Sequence, residues 1–73
     1  MAAGAKVSIR QARATALKAV PGAITADELE KKGGGTGLRY SFDIRRGTKT
    51  FEVGIDARTG AVLENNVERP HPD

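Results

Sequence analysis

Two stretches of the chain alternate strictly between apolar and polar residues, and the short distance between them leaves few folds open. Leu38, Tyr40, Phe42 and Ile44 recur at every second position, with Arg39, Ser41, Asp43 and Arg45 between them. Phe51, Val53 and Ile55 repeat the pattern, with Thr50, Glu52 and Gly54 on the other side. A period of two belongs to a strand with one buried face. Keeping both apolar sets on one side requires a connecting loop of even length, because a slip of one residue turns every side chain over. A turn at Arg46 and Gly47 meets that condition and pairs Phe42 with Phe51, Tyr40 with Val53 and Leu38 with Ile55. The chain therefore centres on an antiparallel hairpin.

A helix is expected before it. Ser8 and Gln11 form a capping box, in which each side chain satisfies a free amide at the helix start. Residues 9–20 are rich in Ala, Arg, Lys and Leu, good helix formers, and Pro21 with Gly22 stops the run. At about 100° per residue, Ile9, Ala12, Ala16, Ala19 and Val20 share one face, and Leu17 lies off it beyond Arg13. Asp56 to Gly60 reads as a second turn, braced by the Asp56 side chain. Residues 61–65 follow as a short closing strand, and the proline-containing tail, residues 67–73, is expected to be disordered. Residues 23–32 stay open. Thr25 and Glu28 are placed as another capping box and the composition is helical, but ten residues between Gly-rich breaks are few for a stable helix, and a strand fits equally.

The chain has 73 residues, enough for one domain and one core. A chain this short buries only about 60 % of its unfolded surface, so its stability should be modest. There is no Cys, hence no disulfide and no thiolate metal site. The net charge of +3 is ordinary for a soluble domain and weak for a nucleic-acid binder. No apolar run approaches the roughly 20 residues that span a bilayer, and residues 1–6 lack the apolar segment of a signal peptide.

The spacing of Ser8, Ile9, Gln11, Ala12, Ala16, Leu17, Pro21 and Gly22 resembles the helix of a PepSY domain. Tyr40, Phe42 and Ile44, then Phe51, Glu52, Val53, Ile55, Asp56, Ala57, Thr59, Gly60, Val62 and Leu63, extend the resemblance across residues 7–65. It implies one N-terminal helix packed on a four-stranded antiparallel sheet, an α+β fold with an ordered core at about residues 7–66, and so a strand at residues 23–31. It also implies a binding role, in particular restraint of peptidases, outside the cytoplasm and without catalytic residues.

The residues agree with a chain that is not an enzyme. His71 is the only histidine and lies in the tail, so neither a triad nor a histidine metal site has a second member. Ser8 reads as a cap and Ser41 as a residue of the polar sheet face. Asp27, Glu28 and Glu30 lack calcium-loop spacing and precede Lys31 and Lys32, which reads as a solvated face. The glycines at 33, 34, 35 and 37 lack the Lys-Ser/Thr of a phosphate loop and read as a flexible turn. Arg39, Arg45, Arg46 and Lys49 are interrupted by Asp43 and Glu52 and have no aromatic platform for bases. No cofactor or metal is expected.

One geometric feature favours a partner. Four strands span about 19 Å, while a helix with its side chains is about 10–12 Å across. The apolar sheet face should exceed what the helix covers, unless sheet twist and long Arg and Lys stems close the gap. Tyr40, Phe42, Ile44, Phe51 and Val53, with Leu17, are thus the expected contact residues, for a protein partner or a second copy of the chain. The leading expectation is a non-catalytic interaction module of the PepSY type; a structural self-association domain of a larger exported protein and a weak nucleic-acid binder are the alternatives.

Overall fold

Helix α1 spans Ile9–Ala19 and begins as its capping box dictates. The Gln11 backbone N–H donates to Ser8 Oγ at 3.1 Å, and the Ser8 N–H donates to Gln11 Oε1 at 3.0 Å. Val20 closes the helix, its N–H donating to the Ala16 carbonyl at 2.8 Å. This computed structural model describes residues 5–68. Four strands follow α1: β1 (Ala23–Lys31), β2 (Leu38–Arg46), β3 (Lys49–Asp56) and β4 (Val62–Glu68). They form one antiparallel sheet in the order β1-β2-β3-β4, the expected α+β architecture.

Residues 23–31 are a strand despite their helical composition. A lone ten-residue helix gains little from its own hydrogen bonds, whereas β1 pairs with β2 over its whole length. The hairpin register differs from the expected one by two residues. Phe42 pairs with Val53, Ile44 with Phe51 and Tyr40 with Ile55, and the loop is Gly47 and Thr48. Gly47 carries φ +65°, the positive value that a type II′ hairpin turn places at its first central residue. Because the displacement is even, the apolar face survives it. β4 runs to Glu68, past the expected end at residue 65, so Val67 and Glu68 belong to the sheet, paired with Phe51 and Thr50. The rest of the expected disordered tail lies outside the described residues.

The core forms where α1 lies on the sheet. Ala12 and Ala16 are fully buried against a layer of Phe42, Ile44, Val53 and Ile55. Small side chains let the helix sit low, so Leu17 reaches the core from beside the stripe while Ile9 and Ala19 stay exposed. The segment before α1 is tied down as well. The N–H groups of Lys6 and Val7 both donate to the Ala57 carbonyl at 2.9 Å, and the Tyr40 hydroxyl donates to the Val7 carbonyl at 2.7 Å.

Candidate protein-interaction surface

Four of the six expected contact residues, Tyr40, Phe42, Ile44 and Val53, are buried within the single chain, at 4 % exposure or less. Leu17 and Phe51 keep partial exposure. The helix is nevertheless too narrow for the sheet: Leu29 on β1 and Val62 and Val67 on β4 stay exposed, and the gap beside the helix is widest at β1. α1 crosses β2 and β3 and reaches β4, but among the described residues no Cα of α1 comes within 8 Å of a Cα of β1.

The side chains at that edge are set by a bulge. Ile24 pairs with Ile44 on the core side, the register then shifts before Ala26, and Asp27, Leu29 and Lys31 pair with Phe42, Tyr40 and Leu38. One extra residue on one strand reverses which face the following residues occupy. Leu29 therefore turns to the core side, as does Asp27, which the sequence reading placed on a solvated face. The odd spacing of Ile24 and Leu29, impossible on one face of a regular strand, is the signal that could have located the bulge.

Two grooves run along the seam between α1 and β1. One, of about 460 Å³, is lined by Ala5, Lys6, Val7, Ser8, Ile9, Leu29 and Tyr40. The other, of about 370 Å³, is lined by Arg13, Leu17, Ile24, Thr25, Ala26 and Asp27. Arg13 and Asp27 form an ion pair at 3.3 Å across the seam. Ile9 and Leu29, which face the first groove, are 39 % and 37 % exposed.

The opposite face of the sheet is polar and gathers carboxylates. Cross-strand pairing puts Glu28, Glu30, Asp43, Glu52, Glu64 and Glu68 there. Burial and then the neighbouring Glu64 push the Glu52 carboxyl above its ordinary range. Arg39, grouped in sequence with the basic residues Arg45, Arg46 and Lys49, is buried on this face: it donates to Glu64 Oε1 and to the Gly33 carbonyl, each at 3.0 Å. Ser41 Oγ donates to Glu30 Oε1 at 2.6 Å, with no histidine beside it among the described residues. No group of His, Cys, Asp or Glu among the described residues is arranged to hold a metal ion; His71 lies outside them.

Asp56 braces the second turn, its Oδ1 accepting from the N–H groups of Arg58 and Thr59 at 2.8 and 3.0 Å. It also accepts from Thr36, through the backbone N–H at 2.7 Å and the hydroxyl at 2.9 Å. The glycine-rich loop is thus pinned at Asp56 and Arg39 rather than free. Gly35, with φ +56°, has no room for a Cβ against Asp56 and Leu63. Burial alone raises the Asp56 pKa, but the hydrogen bonds from Thr36, Arg58 and Thr59 outweigh it and hold the carboxyl well below the usual range.

The domain described as "Peptidase propeptide and YPEB domain", PepSY, matches residues 6–66. No curated protein and no solved structure matches the chain. A match over most of the chain, taking in the helix, β1 to β3, both turns and all but the last two residues of β4, makes this protein a member of the PepSY family.

Proposed function

We propose that the chain is a non-catalytic protein-interaction module that restrains or regulates a peptidase outside the cytoplasm, binding through the β1 side of its core. PepSY domains are propeptide and regulatory modules, typical of extracytoplasmic proteins. Among the described residues no helix is long and apolar enough to cross a membrane. The observation that carries the reading is the unshielded seam: a helix that covers β2 and β3 leaves Leu29, Val7 and Ile9 lining an apolar groove at the sheet edge. Burial of Arg39 and six carboxylates on the polar face speak against phosphate binding there. The test is to titrate the purified chain into secreted metallopeptidases and measure binding and residual activity. Dose-dependent inhibition or micromolar binding is expected, with no turnover of peptide or ester substrates by the chain itself. Indifference of every peptidase tested removes the reading, and turnover that depends on Ser41 replaces it with an enzymatic one.

A further inference from the structure

We infer that β1 accepts an added strand: an extended polypeptide segment with apolar residues on one side and Lys or Arg on the other. This rests on the reading above and names the partner's chemistry. β1 is an edge of the sheet, and among the described residues no backbone hydrogen bond from outside the sheet reaches it. An unpaired edge offers N–H and C=O groups that an extended chain can join. Edge strands are often blunted by bulges and inward charges, and the first half of β1 has both, in the shift after Ile24 and the Asp27–Arg13 pair. The second half has neither over Glu28 to Glu30. There Leu29 faces the groove of about 460 Å³, so a strand laid beside it would drop one apolar side chain into that space. Its alternate residues would lie beside Glu28 and Glu30 on the polar face, which favours Lys or Arg.

Charge also decides against a second copy of β1 as occupant. Two antiparallel β1 strands centred on Leu29 would set Glu28 of one beside Glu30 of the other on the polar face, on strands about 4.8 Å apart, within the Debye length of about 8 Å at physiological salt.

The probe is a short synthetic peptide alternating valine and lysine, titrated into the isotope-labelled chain while backbone amide shifts are followed. Shifts should concentrate on residues 27–31 and on Val7 and Ile9. Affinity should fall about tenfold or more in Leu29→Lys, and likewise for a peptide N-methylated on its pairing amides and for one with glutamate in place of lysine. No binding, shifts centred on β4 or the polar face, or indifference to N-methylation overturns the inference; so do shifts of residues 27–31 that appear when the labelled chain is concentrated without peptide, which make a second copy the occupant. The peptidase reading is scored separately. A peptidase bound equally by wild type and Leu29→Lys overturns strand addition alone. Peptide pairing at β1 with no peptidase bound supports strand addition and removes the peptidase reading.

Discussion

Asp56 concentrates more structure than any other polar residue, because one carboxylate holds both the second turn and the glycine-rich loop. Its pKa is lower in the folded state than the unfolded value of about 3.9. The sign follows: the native state favours the ionised form, so its contribution is complete above about pH 5 and is lost as pH falls through about 4 and below. Urea titrations from neutral pH to pH 3 should show stability falling with acid in the wild type, and a shallower fall from a lower starting value in Asp56→Asn. Equal slopes would remove Asp56 as the cause. Core and surface separate at this scale too. Phe42 is fully buried, and Phe42→Ala should cost about 3–5 kcal/mol. Leu29→Lys, at an exposed site, should stay within about 0.5 kcal/mol. A large loss from Leu29→Lys in chemical denaturation would show that the seam is part of the core. The bracing of the second turn by Asp56 was legible from the Asp-to-Gly spacing. Its grip on Thr36 was not, since the two residues stand twenty positions apart, with β2 and the rest of β3 between.

Among the elements, α1 was readable to within a residue because its capping box and terminating proline are local signals. The hairpin was readable in kind but not in register: alternation fixes the parity of the loop, while the choice between two even solutions falls to which apolar residues pair across the strands, with Gly47 free to supply the turn that the chosen pairing needs. At φ +65°, with nothing within 4 Å of a Cβ, Gly47→Val should cost about 1–2 kcal/mol of conformational strain alone. It should speed unfolding without moving the β2–β3 cross-strand contacts seen by nuclear Overhauser effects; a changed set of contacts would mean that the turn, not the apolar pairing, sets the register. β1 was undecidable from composition because its bulge breaks the alternation that identifies a strand. The end of β4 was missed for a related reason: its last residues, Asn66 to Glu68, are exposed and carry a single apolar side chain, Val67, and pairing with β3 alone makes them strand.

At the scale of the whole molecule, the mismatch between one helix and four strands was foreseeable from widths, but its position was not. The helix was expected to leave the aromatic centre of the sheet open. It lies low on its alanines over that centre instead, and what stays uncovered lies at the edges: Leu29 on β1, where among the described residues no helix Cα comes within 8 Å, and Val62 and Val67 on β4. This changes what the chain should do alone in solution. With Tyr40, Phe42 and Val53 buried, the centre of the sheet offers no apolar face to drive association. The strip along β1 is backed on the polar face by Glu28 and Glu30, which repel their own copies. Light scattering across concentration at physiological salt should therefore give a monomer. Glu28→Gln combined with Glu30→Gln should weaken that repulsion and let the edge pair with itself, so this double variant should gain mass with concentration. Adding Leu29→Lys should restore the monomer, because pairing through β1 needs the apolar side of that strand. A wild-type dimer that survives Leu29→Lys would place self-association elsewhere, with the exposed Val62 and Val67 of β4 the next residues to change.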